Sequence, residues 1–134
     1  MLKQISIYAE NKKGALENIT GILLKEEINI LGSMTEDAAD FGVNRMIVSD
    51  PEKAKKALED NGYLVSVKDV IGVEVEDKVG NLNSLLKNLL EMNINVNYLY
   101  LSFNRQSGLP IMDYCTEDVR EVENAVKERG FRTL

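Results

Sequence analysis

The chain of 134 residues contains no histidine and a single cysteine, Cys115. Without histidine there is no Ser-His or Cys-His nucleophile pair, no histidine proton shuttle and no ordinary zinc site. A lone cysteine cannot form an intrachain disulfide. Carboxylate or lysine catalysis remains open, but no spacing singles out such a pair. We therefore expect a protein that is not an enzyme and has no catalytic residue, bound metal or cofactor.

Positive charge and long apolar runs are also scarce. Lysine and arginine number 16 against 22 aspartates and glutamates, which gives a net charge of −6. Nucleic-acid binding needs a basic face, so no nucleic-acid partner is expected. No apolar run approaches the length of a membrane span, and residues 1–5 lack the apolar segment of a secretory signal. These absences predict a cytoplasmic protein with no membrane partner.

What the chain does contain is a repeat. Residues 11–30 read NKKGALENITGILLKEEINI, residues 77–96 read DKVGNLNSLLKNLLEMNINV, and 7 of these 20 positions are identical without a gap. The register continues past a two-residue insertion near residues 104–107. Two amphipathic helices can look alike by composition alone, but the matched glycine and the matched Ile-Asn argue against that alternative. We therefore predict two domains, residues 1–67 and 68–134. A predicted strand at residues 63–67 ends the first, a predicted strand at residues 70–76 begins the second, and only Lys68 and Asp69 lie between them, too few for a flexible linker.

Each half shows the same order of local patterns. Residues 3–9 alternate apolar and polar, as a half-buried strand does, and a helix with one apolar stripe follows. Asp50-Pro51 is a strong helix start, and Gly62 ends that helix. The order predicts an α+β fold of two ferredoxin-like βαββαβ units, each an antiparallel sheet with helices on one face. In the second half the predicted stripe consists of Leu82, Leu85, Leu86, Leu89 and Leu90.

Two similar turns, NKKGAL at residues 11–16 and DKVGNL at residues 77–82, lead from a strand into a helix. The side chain of Asn11 or Asp77 can cap the new helix, and a glycine lets a ligand approach the backbone. Free N–H groups at the positive end of the helix dipole suit a carboxylate, and Asp77 can hold an ammonium group. Together they match the two ends of a free amino acid. Caps and turn glycines are also common in ordinary strand-to-helix junctions, so both interpretations stay open.

A βαββαβ unit of this length with a D-x-P-G-x-L-like turn resembles the ACT domain, a small regulatory module that binds amino acids in enzymes of amino-acid metabolism. Residues 41–58, FGVNRMIVSDPEKAKKAL, add to the resemblance, because a third strand with an arginine runs into an Asp-Pro helix start. Lys13 and Val79 replace the usual proline, and Asn11 replaces the usual acid. The chain is similar to two ACT domains in tandem, which implies an α+β fold of two ferredoxin-like units that lie side by side.

The resemblance implies a non-catalytic allosteric sensor, a homo-oligomer such as a dimer, that binds an amino acid at the interface between its two ACT units. One implied site combines Asn11, Lys12, Lys13, Gly14, Ala15 and Leu16 with Asn95, Val96 and Asn97. The other combines Asp77, Lys78, Val79, Gly80, Asn81 and Leu82 with Asn29, Ile30 and Leu31. We favour the site with Asp77, because only that turn supplies an acid for the ammonium group.

Two other functions fit the same fold. One is a partner like a regulatory small subunit, which binds and tunes an amino-acid biosynthetic enzyme and exposes an apolar patch for that purpose. The other is a small enzyme or carrier of the split βαβ layout. Acylphosphatase-like enzymes need a glycine-rich phosphate loop with a nearby arginine, and copper chaperones need a Cys-x-x-Cys turn; the sequence has neither.

Overall fold

The computed structural model describes residues 1–10, 12–37 and 41–134, which form two compact α+β units. The first unit comprises Lys3–Lys68, and the second comprises Met1–Leu2 together with Asp69–Leu134. Each unit has the predicted βαββαβ order. In the described ranges, no helix is long and apolar enough to cross a membrane.

The first unit is built on an antiparallel sheet with β3 beside β1. Its elements are β1 (Leu2–Glu10), α1 (Ala15–Lys25), β2 (Ile30–Asp37), β3 (Phe41–Val48), α2 (Pro51–Asp60) and the beginning of β4 (Leu64–Glu74). Strand β3 pairs antiparallel with both β1 and β2, and Thr35 lies opposite Asn44 in the second of these ladders. Strand β1 also pairs with β4.

The second unit repeats this arrangement with the remainder of β4 as its first strand. Its other elements are α3 (Asn81–Glu91), β5 (Tyr98–Phe103), β6 (Pro110–Cys115), α4 (Val119–Glu128) and β7 (Arg132–Thr133). Strand β6 pairs antiparallel with both β4 and β5, and Leu101 lies opposite Met112. The C-terminal residues add β7, the last strand of this unit, to the edge of β4.

Strand β4 corrects one prediction of the sequence analysis. We expected two strands, residues 63–67 and 70–76, separated by a junction at Lys68 and Asp69. The structure has one unbroken strand, Leu64–Glu74. The physical reason is that no glycine or proline interrupts residues 64–71, so nothing ends the extended backbone at the junction.

Each unit buries the inner faces of its two helices against one face of its sheet. In the first unit, Ile19 and Leu23 of α1 and Leu58 of α2 pack against Ile5 and Ile7. The second core consists of Ile71, Val73, Leu85, Leu89, Met112, Tyr114, Val122 and Val126. Burying a side chain of this size stabilises the fold by about 1.5–3 kcal/mol. The helices therefore lie on one face of each sheet, as predicted.

The apolar stripe of α3 is narrower than predicted. Leu85 and Leu89 are buried, whereas Leu82, Leu86 and Leu90 are 40%, 38% and 76% exposed. Five leucines spread over two turns and more occupy a wider arc of the helix than one sheet surface can cover. The three exposed leucines are therefore available for contacts outside the core of the unit.

Glycine is required at the start of both α1 and α3 by backbone conformation. Gly14 and Gly80 are the residues preceding these helices, with φ of 86° and 92°. This left-handed region favours glycine. A Cβ built at either position would have no neighbour within 4 Å, so the space above each glycine is open. The predicted cap by Asp77 is wrong: Gly80 occupies the capping position, three residues after Asp77. Asn11 lies outside the described residues.

Both first helices end with the same reversal of the chain. Glu27 and Asn93, at matching places in the repeat, each have φ of 56°. In each case the following isoleucine donates its amide to a leucine carbonyl near the helix end, at 3.0 Å for Ile28 and 2.9 Å for Ile94. Asparagine tolerates this conformation better than glutamate, which has no local side-chain bond to compensate it.

The loop between β5 and β6 is held by a buried carboxylate. The side chain of Glu74 is 2% exposed, and its Oε1 lies 3.3 Å from the Arg132 guanidinium. Its Oε2 accepts hydrogen bonds from Asn104 Nδ2 at 2.5 Å and from Ser107 Oγ at 3.1 Å. This clamp fixes the loop that carries the two-residue insertion of the second repeat.

Candidate ligand-binding site

The turn between β4 and α3 is closed by its own hydrogen bonds. The amide of Lys78 donates to the carbonyl of Glu76 at 3.0 Å, and the Asn81 side-chain amide donates to the same carbonyl. Lys78 Nζ also lies 3.1 Å from Glu76 Oε2, and both side chains are largely exposed. The polar groups of the turn thus hold its shape, and the helix begins directly after Gly80.

The head of α3 leaves amide donors open. Its first helical bond runs from Ser84 N to Gly80 O at 2.9 Å. Within the described part of the chain, the amides of Leu82 and Asn83 have no acceptor, and no side chain caps the helix. Such N–H groups and the helix dipole attract anions, a carboxylate included.

A cavity of about 560 Å³ lies at this helix head, within the second unit. This volume falls in the range of small-molecule sites, roughly 300–1,000 Å³. Its polar wall consists of Glu76, Asp77, Lys78, Asn81 and Asn83. Its apolar wall consists of Val75, Leu82, Leu86, Leu101, Phe103, Pro110 and Met112. We call this cavity the α3 pocket.

The structure gathers most residues of the predicted DKVGNL turn around the α3 pocket. Asp77, Lys78, Gly80, Asn81 and Leu82 all line it. The side chain of Val79 is fully exposed and does not line the pocket.

The first turn opens on two cavities of the first unit. Lys12, Lys13, Gly14 and Ala15 line one of about 560 Å³, together with the aromatic rings of Tyr8, Phe41 and Tyr63. Asn18 Nδ2 donates to Tyr63 Oη in this cavity at 2.5 Å. Leu16 instead lines a smaller notch of about 80 Å³ on the other side of the turn, which also contacts Lys12 and Ala15.

The remaining predicted residues follow α1 and α3 and make local contacts. The amide of Asn29 donates to Ser49 Oγ, and its carbonyl accepts from the amide of Ser49, both at 2.9 Å. Asn95 Nδ2 donates to Asn97 Oδ1 at 3.3 Å, and the amide of Asn97 donates to the carbonyl of Cys115 at 2.9 Å.

Three apolar members of the predicted set are half-buried. Ile30 packs against the first core and Val96 against the second. Leu31, on β2, is half-buried as well. The contribution of residues 29–31 and 95–97 to a ligand site stays a prediction.

The apolar wall of the α3 pocket is the part of the site that we did not predict. Leu86 was assigned to the core, and Leu101, Phe103 and Met112 were assigned to no site. The sequence contained one signal for this wall. The leucines of α3 span a wider arc of the helix than one sheet can cover, so some of them must contact something other than the core.

The fold and the α3 pocket together define a tandem pair of ferredoxin-like modules with a small-molecule cavity at a strand-to-helix turn. A family model described as an ACT domain pair matches residues 1–129. The chain therefore belongs to the ACT domain pair family, and the resemblance seen in the sequence is confirmed. ACT domains form a regulatory fold that typically binds amino acids.

Solved structures support the assignment. The chain is similar to protein BT0572 from Bacteroides thetaiotaomicron, with 34% identity and a TM-score of 0.89 over 99% of this chain and 91% of that one. It also shares its fold with the regulatory subunit of aspartate kinase from Thermus thermophilus, with 15% identity and a TM-score of 0.67 over 94% of this chain and 91% of that one. The corresponding subunit from Thermus flavus gives 15% identity and a TM-score of 0.66 over 92% and 86%. No curated protein matches the chain.

Proposed function

We propose that this protein is a non-catalytic regulatory protein that binds a free amino acid in the α3 pocket. The observation that carries the proposal is a cavity of ligand size that combines an uncapped helix head with the carboxyl group of Asp77. A free α-amino acid carries a carboxylate and an ammonium group on the same carbon atom, and the pocket offers a partner for each of them.

Each end of the amino acid has a partner of opposite charge. The ligand carboxylate accepts hydrogen bonds from the amides of Leu82 and Asn83 and lies at the positive end of the α3 dipole. The ligand ammonium pairs with Asp77, an exposed residue at the mouth of the pocket. Hydrogen bonds to charged groups contribute about 1.5–3 kcal/mol each, so the two ends supply much of the roughly 6 kcal/mol that a dissociation constant of tens of micromolar requires.

Regulation follows from the difference in affinity between two states. An amino acid shifts the equilibrium between two conformations, or between two oligomers, only by the ratio of its affinities for them. We propose that the protein acts in the cytoplasm as a homodimer and that the ligand changes this equilibrium. Light scattering with and without the amino acid measures the change directly.

A second candidate function is that of a partner subunit that tunes a biosynthetic enzyme. Its support is the fold shared with the regulatory subunits of aspartate kinase, together with exposed apolar side chains such as Leu90 at 76% exposure. This function predicts that a larger protein co-purifies with the chain and that the enzyme's activity changes when the chain is added. An amino-acid response of the isolated chain favours the first candidate.

The proposal is tested by thermal shift and calorimetry with each free proteinogenic amino acid. A ligand at a hundred times its dissociation constant raises the free energy of unfolding by about 2.7 kcal/mol, which corresponds to a rise in Tm of roughly 8 °C for a chain of this size. Asp77→Asn should weaken binding at least tenfold, because it removes the partner of the ammonium. Asp60→Asn, the same change at an exposed residue of α2, is the control. A flat response to every amino acid at millimolar concentration would contradict the proposal.

A further inference from the structure

The apolar wall of the α3 pocket is open to solvent. Leu101 and Phe103 of β5 are 49% and 56% exposed, and Leu82 and Leu86 of α3 face them across the cavity at 40% and 38%. Met112 of β6 also lines the cavity and belongs to the buried core of the unit. Apolar surface shaped into a cavity favours an apolar occupant, because contact removes both surfaces from water.

The first unit provides an internal comparison for this wall. Aligned on Gly14 and Gly80, the repeats place Leu16 against Leu82, Thr20 against Leu86 and Thr35 against Leu101. Beyond the two-residue insertion, Asn44 stands against Met112. The strand pairing agrees with this alignment: Thr35 lies opposite Asn44 in its hairpin, as Leu101 lies opposite Met112 in the other.

The equivalent place in the first unit is smaller and has the polar side chains of Thr35 and Asn44 where the α3 pocket has Leu101 and Met112. Its notch measures about 80 Å³, against about 560 Å³ for the α3 pocket. Thr35 Oγ1 donates to Asn44 Oδ1 at 2.8 Å, so the two side chains satisfy each other across the hairpin. The same fold thus forms with polar side chains at the positions of Leu86, Leu101 and Met112, and these three residues are not a requirement of the architecture.

We infer that the α3 pocket selects an amino acid with a large apolar side chain, such as leucine, isoleucine, methionine or phenylalanine. This inference rests on the proposed function and adds the ligand class to it. Asp77 and the open amides of α3 hold the charged ends, and the wall of Leu86, Leu101, Phe103 and Met112 receives the side chain. Each buried CH₂ group raises affinity about fourfold, so leucine should bind about 50-fold more tightly than alanine. Lysine and aspartate should bind at least a hundredfold more weakly than leucine, because their charges would lose water without gaining a partner.

The test is calorimetry of the full chain with leucine, isoleucine, methionine and phenylalanine against alanine, threonine, lysine and aspartate. Leu86→Thr and Leu101→Thr place in the pocket the residues of the first unit, and each should weaken leucine binding more than tenfold. Leu90→Thr is the matched control, since Leu90 lies on the same helix, is 76% exposed and does not line the pocket. Urea denaturation of each variant confirms that it is folded.

The outcomes separate the two proposals. Binding of lysine, threonine or aspartate in preference to the apolar amino acids would overturn the inference on ligand class while the proposed function stands. No binding by any amino acid would overturn the proposed function itself. Leucine binding that Leu86→Thr and Leu101→Thr leave unchanged would show that the apolar wall of this pocket does not receive the side chain.

Discussion

Asp113 on β6 makes the stability of the protein depend on pH. Its neighbours Met112 and Tyr114 belong to the second core, so its side chain is on the opposite face of the sheet, where it is fully buried. Neither carboxyl oxygen has a hydrogen-bond partner of good geometry among the described residues. Burial raises the pKa of Asp113 from 3.8 to about 7, although the nearby Ser102 hydroxyl opposes this rise.

The sign of the effect follows from the direction of this pKa shift. The folded state holds the Asp113 proton more tightly than the unfolded state, so the contribution is fully present at acidic pH and is lost as pH rises through the folded pKa. Between the two pKa values, the free energy of unfolding falls by about 1.4 kcal/mol per pH unit. For pKa values of 3.8 and about 7, the total loss approaches about 4 kcal/mol. Asp113→Asn removes the ionisation at nearly constant shape, so it should stabilise the protein by roughly 2–4 kcal/mol above neutral pH.

Urea denaturation of the wild type and of Asp113→Asn, from about pH 4.5 to about pH 8.5, measures this difference. The window is favourable, because the chain has no histidine, the side chain that ordinarily titrates near neutral pH. The two curves should lie closest together at the acidic end and separate steadily up to about pH 7. Parallel curves would refute the reasoning, since they would mean that Asp113 ionises as easily in the folded protein as in the unfolded chain.

Two further predictions concern stability alone. Glu27→Gly should raise the free energy of unfolding by about 0.5–1 kcal/mol in thermal denaturation, because glycine adopts the left-handed conformation there without strain. Asn93→Gly should raise the free energy of unfolding by less, and an equal rise in the two variants would contradict this reasoning. Glu74→Ala should lower the free energy of unfolding by about 2–4 kcal/mol and speed hydrogen exchange in residues 104–109, because it releases the loop between β5 and β6. Glu76→Ala, which removes an exposed ion pair, should change stability by less than about 0.5 kcal/mol, and equal effects of the two variants would exclude the clamp.

The repeat and the fold of each unit could be predicted because their signals are local. A glycine before a helix, an Asp-Pro start and an apolar stripe each concern residues within a few positions of one another. The same locality explains the error at β4. When only the junction residues Lys68 and Asp69 are considered, the residues on either side of them look like two separate strands. Whether the backbone stays extended through the junction depends on pairing with strands that are distant in sequence.

The candidate site could be predicted only in its polar half. Asp77, Lys78 and Gly80 are adjacent in sequence, so a turn with an acid, a glycine and a helix behind it was visible. The apolar half comes from β5 and β6, about twenty and thirty residues further on, and the sheet register brings Leu101 and Met112 to the same place. The sequence pattern identifies each leucine as apolar, but it does not show whether that leucine lies in the core of the unit or in the wall of a pocket.

The comparison between the two repeats shows which features of the turn both units share and which side chains occur only in the second unit. Both turns keep the glycine with positive φ and the helix that follows, so the backbone that we propose as the partner of a charged group is common to both units. The side chains beside it differ: Thr35 and Asn44 bond to each other, whereas Leu101 leaves about half of its surface in water. Exposed leucine contributes little to stability, and the first unit folds with threonine at that position. The stability of the unit therefore does not account for the apolar wall of the α3 pocket, which supports our proposal that this wall receives the side chain of the ligand.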